Sequence, residues 1–258
     1  MIAGSWIALA SGGLVSGILA GFLGIGGGTI LVPLLITLGY APVQAVATSS
    51  LAILITSVSG TVQNWRMGYF DLKRVILLGF PALVTAQIGV YLATHILPYI
   101  LLLAFGILLL TNIYLVELRK RLTVLEAPIT TKFNPVISRI GTGGTAGILA
   151  GLFGVGGGVI MVPLQMLLLG EPIKVAIQTS LGVIVATAVS ACIGHAAKGN
   201  VLFVSGILLG SGGLLGAQMS TRVLPKLPDQ VVSLFFRIFL GILSIYIFWQ
   251  AWRSYQGF

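Results

Sequence analysis

Two short runs, Gly24-Ile25-Gly26-Gly27-Gly28 and Gly154-Val155-Gly156-Gly157-Gly158, are the segments of this chain best placed to do chemistry. Glycine has no reactive side chain, so what these runs offer is backbone. A helix that begins just after such a run presents N–H groups with no intrahelical partner and the positive end of its dipole, and the missing Cβ lets a ligand reach them. That chemistry is the holding of an anion without a charged side chain. Gly26, Gly27 and Gly28 with the following Thr29, and Gly156, Gly157 and Gly158, are the candidate binding backbone. The competing reading is that the glycines only make tight turns and close packing contacts. A P-loop or dinucleotide fingerprint is excluded, because no Lys-Ser/Thr follows either run and no strand precedes it.

Neutral donors lie nearby in sequence. Thr48, Ser49 and Ser50 stand opposite Gln178, Thr179 and Ser180 at a separation of 130 residues, and Gln87 is matched by Gln218. Such hydroxyls and amides could complete an anion cage, or bond within and between helices. Asn64 and His195 align once a single residue is gapped. His195 is a group whose charge can change near neutral pH. Arg237 stands in an otherwise charge-free segment, where a charge marks either a functional site or a side chain reaching for the interface. No H-E-x-x-H, no G-x-S-x-G and no facing Asp pair occurs, so no catalytic residue, metal or cofactor is expected and the chain does not read as an enzyme.

The elements that must position these residues are membrane helices. The chain is 57% hydrophobic and 7% charged, with a mean hydropathy of +1.09. No charged residue occurs before Arg66, and charge-free stretches cover 75–116, 140–170, 175–197, 199–221 and 238–252. Most reach the ~20 residues that cross a bilayer core. A soluble helical core would carry charged faces at helical spacing, and these segments have none. The N-terminal segment lacks a basic region and a cleavage site and reads as part of the mature protein. The lone Cys192 reads as a small buried hydrophobe.

The chain is also a duplication. Residues 17–34, GILAGFLGIGGGTILVPL, and 147–164, GILAGLFGVGGGVIMVPL, agree at thirteen of eighteen positions. The apolar arm after each glycine run, about 29–38 in the first half, covers only half the hydrocarbon thickness, so each half should open with a re-entrant hairpin or a broken helix. Stripes at Gly13, Gly17, Gly21 and at Gly143, Gly147, Gly151 suit close helix packing. The expected organisation is a first repeat at 1–118 (hairpin about 5–38, spans about 43–62, 74–93 and 98–117), a cytoplasmic linker at 119–138, and a second repeat at 139–258 (hairpin about 139–169, spans about 174–194, 200–221 and 230–251). The fold class is an all-α polytopic membrane protein of two inverted repeats. Asp71, Glu117, Glu126, Glu171 and Asp229 are all expected in loops, which argues against a buried carboxylate relay.

Three spans per half would turn the second copy upside down. With 63–74 on the cytoplasmic side, eleven basic residues fall inside (Arg66, Lys73, Arg74, Arg119, Lys120, Arg121, Lys132, Arg139, Lys174, Arg222, Lys226) and two outside (Lys198, Arg253). That asymmetry places both termini outside the cytoplasmic (inner) membrane. The net charge of +9 thus reads as an orientation signal, with no nucleic-acid surface.

On GIGGGTILVPLL and GVGGGVIMVPL, with TSSL and QTSL and the paired Ala-Gln segments, the chain resembles the TauE/SafE family of sulfite exporters, also called the sulfonate uptake permease family. The resemblance covers nearly the full length. It implies a cell-membrane permease for sulfite, sulfonates or related sulfur-containing anions, with export of sulfite or an organosulfonate by alternating access around the glycine hairpins as the leading expectation. The alternatives are an uptake permease for sulfonates or other organic anions, proton-coupled through His195, and a non-transporting membrane subunit. The expected partners are the small anion and the lipid bilayer, and a homo-oligomer is compatible with the sequence.

Overall fold

The computed structural model describes residues 3–124 and 134–255. Its helices are α1 (Ala3–Leu23), α2 (Gly28–Thr37), α3 (Pro42–Arg66), α4 (Leu72–Ala93), α5 (Pro98–Val124), α6 (Pro135–Phe153), α7 (Gly158–Leu168), α8 (Ile173–Ala197), α9 (Phe203–Val223) and α10 (Asp229–Tyr255), with a 3-10 turn at Leu224–Lys226 and no strand among the described residues. Eight are long and apolar enough to cross a membrane; α2 and α7 are the short ones. The starts follow local chemistry. Pro42 and Pro135 sit in first turns, where a missing N–H costs nothing. The Asp71 side chain caps α4 by accepting from Arg74 N at 3.1 Å.

The first arm of each expected hairpin is longer than the sequence suggests. α1 has 21 residues and α6 has 19, each enough to span, so only the second arm is short. Glycine weakens an isolated helix, but here the glycine stripe is covered by a neighbouring backbone, and packing outweighs propensity. The expected linker is also partly helical, since α5 runs on to Val124 and α6 begins at Pro135. Its middle, with Glu126 and Lys132, lies outside the described residues. Glu117 does not sit in a loop: it belongs to α5.

The two halves interlock. A methyl added to Gly13, Gly17 or Gly21 of α1 would collide with Leu209, Gly213 or Ser220 of α9. In the same way, methyls on Gly143, Gly147 and Gly151 of α6 would collide with the carbonyls of Leu78, Ala82 and Ala86 of α4. The first helix of each half therefore lies backbone to backbone on a helix of the other half. In both pairs the residue numbers rise together, so the partners run parallel. α5 and α10 run antiparallel, with Tyr99 beside Tyr255 and Gly106 beside Phe248.

Equivalent helices keep a fixed register. α3 and α8 have 25 residues each, α5 and α10 have 27 each, and α2 has 10 against 11 in α7. The extra residue of α7 moves the separation from 130 to 131. The structural twins are therefore Thr48 with Thr179, Ser49 with Ser180, and Asn64 with His195, which corrects the register that set Ser50 opposite Ser180. On the outside, Ile7, Phe80, Ile242 and Ile245 are exposed, as are Trp6, Trp65, Trp249 and Trp252 near helix ends. Apolar faces with aromatic ends suit contact with lipid.

Candidate functional site

α2 begins at Gly28 after Gly27 (φ 81°), and α7 begins at Gly158 after Gly157 (φ 76°). Both caps are in the left-handed region, which favours glycine and lets the chain reverse within four residues. Neither cap supplies a side-chain bond to its helix. The N–H groups of Gly26, Gly27, Gly28 and Thr29, and those of Gly156, Gly157, Gly158 and Val159, donate to no acceptor among the described residues. All eight residues are buried. Most buried N–H groups in folded proteins are paired, so two such clusters call for a physical reason.

Four carbonyls of the same segments, those of Gly24, Gly27, Gly154 and Gly156, accept side-chain hydroxyls. Ser49 Oγ lies 2.9 Å from Gly154 O, and Ser180 Oγ lies 2.9 Å from Gly24 O. Each serine shares its hydrogen with a carbonyl one turn back, Val46 O or Ile177 O. Ser16 Oγ donates to Gly27 O at 2.9 Å, and Thr187 Oγ1 to Gly156 O at 3.1 Å. These bonds draw four carbonyls away from the unpaired N–H groups, and the dipoles of α2 and α7 point their positive ends at the same place.

The two segments touch. A methyl on Gly28 would collide with the carbonyl of Gly154, and one on Gly158 with that of Gly24. Their depth is fixed by α3 and α8, since Gly26 and Gly156 both pack against Ile53 and Ile184. Each isoleucine is the twelfth of the 25 residues of its helix. At ~1.5 Å per residue the junction lies about 17 Å from the first residue and about 20 Å from the last residue of those helices, close to mid-depth. The junction is closed: a methyl on Gly26 would come within 3.2 Å of Ile53 Cγ2 and 3.3 Å of Ile184 Cγ2.

The structure thus brings together Gly26, Gly27, Gly28, Thr29, Gly156, Gly157, Gly158, Ser49 and Ser180. Thr29 Oγ1 is fully buried without a partner. Ser50 instead bonds back to Val46 O at 3.0 Å, and Thr48 Oγ1 accepts from Leu202 N at 3.1 Å; Thr179 is buried in α8. Gln87 and Gln218 join helices. Gln87 Nε2 donates to Ser190 O at 2.7 Å and to Ser190 Oγ at 2.8 Å, and Gln218 Nε2 donates to Ser59 O at 3.4 Å. Arg237 Nη1 pairs with Glu117 Oε2 across α5 and α10. Asn64 and His195 are fully buried near the ends of α3 and α8.

Four residues were missed by sequence reasoning: Ile53, Ile184, Ser16 and Thr187. For the isoleucines a signal existed, since they recur at the 131 separation at the centres of two spans. Thr187 recurs as Thr56 at the same 131 separation, whereas Ser16 has Ala146 at its place, and only tertiary packing shows it.

Comparison with known proteins accords with this architecture. A family model described as Sulfite exporter TauE/SafE matches residues 9–247. YunE of Bacillus subtilis, described as a probable membrane transporter protein, is 25% identical over 96% of this chain and 98% of its own. MJ0441 of Methanocaldococcus jannaschii, described in the same words, is 25% identical over 91% of this chain and 92% of its own. The Sulfite exporter TauE/SafE family protein 3 of Arabidopsis thaliana is 30% identical over 34% of this chain and 18% of its own. No solved structure matches with significance. With the family model covering nearly the whole of a chain built from eight span-length helices, the protein belongs to the TauE/SafE family of membrane transporters.

Proposed function

We propose that the chain carries small sulfur-containing oxyanions, foremost sulfite or an organosulfonate, out of the cell by alternating access around the paired glycine segments. The observation that carries this reading is the meeting, near mid-depth, of two buried helix starts whose N–H groups are unpaired while the carbonyls of Gly24, Gly27, Gly154 and Gly156 are held by hydroxyls. Such a site favours an oxyanion with several acceptor oxygens, and it needs no charged side chain to hold one. Gly26–Thr29 and Gly156–Val159 supply the donors, Thr29 Oγ1 adds a hydroxyl, and Ser49 and Ser180 hold the carbonyls away from the anion. With the bundle as it stands, Ile53 and Ile184 close the junction, so binding and passage require the halves to rock apart on one side at a time.

The parallel packing of α1 on α9 and of α6 on α4, with α5 antiparallel to α10, supports two halves inserted with opposite orientation; the excess of basic residues on one side supports placing both termini outside the inner membrane. The basic residues near 63–74, 119–139, 174 and 222–226 then face the cytoplasm. An interior-negative potential favours anion exit by about 2.3 kcal/mol per charge per 100 mV, so export needs no separate motor.

Sulfite flux in proteoliposomes of the purified chain tests the reading, with Thr29→Val as the variant. The twin of Thr29 is Val159, so the fold accommodates valine at this place. Losing one hydroxyl to the anion should weaken apparent affinity by about tenfold. Undiminished flux and affinity in Thr29→Val would remove Thr29 from the site, and absence of sulfite or sulfonate flux in the unaltered chain would reject the substrate class.

A further inference from the structure

Asn64 and His195 are structural twins in the last turns of α3 and α8, and both are fully buried. Neither side chain is satisfied. Both Asn64 Oδ1 and Asn64 Nδ2 lack partners, and so does His195 Nδ1. His195 Nε2 lies 3.1 Å from Gly151 O. A carbonyl can only accept, so Nε2 carries the hydrogen and, in the neutral ring, Nδ1 is a bare lone pair. Gly151 is in the last turn of α6, three residues before Gly154, which sets His195 beside the second glycine segment.

We infer that His195 is a proton-linked anion station: an oxyanion leaving or approaching the second glycine segment binds at Nδ1 together with one proton, whereas Asn64, its twin, binds the anion without one. The inference rests on the anion-transport reading and adds to it a coupled proton. A lone pair repels an oxyanion, so Nδ1 can hold one only after taking up a proton and becoming a donor. A positive ring in this buried place in turn needs a counter-charge, which the anion supplies. The two binding events therefore favour one another by the same factor, as linkage requires. Asn64 already owns unpartnered N–H donors and needs no proton.

The titratable groups on the elements packed near this end of α8 are Tyr91 and His95 of α4 and Cys192 and Lys198 of α8 itself; α6 brings none near Gly151. Lys198 is engaged, with Nζ 2.7 Å from Thr94 Oγ1 and 5.5 Å from the centre of the Tyr91 ring. His195 is thus the proton carrier beside the glycine segment. The balance is simple: one H⁺ adds to Nδ1 as the anion arrives and departs with it. A divalent oxyanion moving with that proton still bears one net negative charge and follows the membrane potential outward. A sulfonate moving with it bears none, so the potential does not drive it, and the outward drive of that potential then acts on divalent oxyanions alone.

The test uses the full chain in lipid nanodiscs, labelled with ¹⁵N-histidine and carrying His95→Gln so that one imidazole remains. Methanesulfonate is the probe, because its sulfonate stays ionised and any proton taken up is the protein's. Its addition at neutral pH should move His195 Nδ1 from the unprotonated to the protonated ¹⁵N range. In proteoliposomes, about one proton should move per methanesulfonate in the unaltered chain, and the protons moved per methanesulfonate should fall towards zero in His195→Asn, which places the first half's residue in the second. An unshifted Nδ1 at saturating anion, or an equal number of protons moved per methanesulfonate in His195→Asn, overturns the inference and leaves the transport reading standing. Absence of flux with every sulfur oxyanion overturns both.

Discussion

Ser49, in the first half of the chain, donates its hydroxyl to the carbonyl of Gly154 in the second half over 2.9 Å. Ser180 makes the reciprocal bond to Gly24, also over 2.9 Å. These bonds tie each half to the glycine segment of the other and occupy the carbonyls that would otherwise oppose an anion. Alanine at either serine leaves a buried carbonyl short of a donor, at a cost of about 1–3 kcal/mol. Thermal unfolding in detergent should show each single variant destabilised by that order. The double variant should depart from the sum, because both bonds serve one junction.

The interlocked first helices make a second prediction. Gly17→Ala and Gly147→Ala would each drive a methyl into a backbone carbonyl, of Gly213 and Ala82 respectively. Backbone cannot step aside as a flexible side chain can, so each should lose about 1–3 kcal/mol. Gly241→Ala, where nothing lies within 4 Å of the added methyl, should be neutral or slightly stabilising. Equal stability of all three variants in a chemical or thermal melt would contradict the interlock.

Ile53 and Ile184 close the junction at mid-depth, so shortening them should open it. Ile53→Ala and Ile184→Ala each remove buried methyl groups, at about 2–5 kcal/mol of stability. In liposomes the surviving protein should pass anions faster at low driving force than the unaltered chain. Slower or unchanged passage would mean that the isoleucines only pack.

How much of this was legible in the sequence follows from where each signal resides. Gly24–Gly28, repeated at Gly154–Gly158, marked the breaks because glycine clusters cannot continue an apolar helix without special packing. The charge-free runs marked the spans because lipid tolerates little else. The one-residue register change was hidden: it comes from an α7 of 11 residues against an α2 of 10, and both are apolar throughout that difference. The exchange of first helices was hidden as well. The stripes at Gly13, Gly17, Gly21 and at Gly143, Gly147, Gly151 promise a close partner without naming it. Glu117 was expected in a loop because the charges that follow it resemble a span end, yet the helix continues and brings it to Arg237.

That ion pair gives a further prediction. Arg237 and Glu117 side chains are 25% and 34% exposed, so breaking the pair should cost less than the 3–5 kcal/mol of a fully buried one, on the order of 1–2 kcal/mol. Arg237→Gln should lower stability by that amount, and adding Glu117→Gln should recover part of it. Anion affinity should stay as it was, since Arg237 is held by α5. A large loss of affinity in Arg237→Gln at unchanged stability would instead make Arg237 a substrate ligand.

Selenite, the heavier congener of sulfite, offers the most direct measurement at the paired glycine segments. Crystals of the full chain grown with it, measured at the selenium edge, should show an anomalous peak at mid-depth. The expected position is within hydrogen-bond distance of the amides of Gly26–Thr29 and Gly156–Val159, with Ile53 and Ile184 moved off the glycines. A fully occupied peak elsewhere, with these amides still unpaired and the isoleucines still in place, would contradict an anion site built from bare backbone.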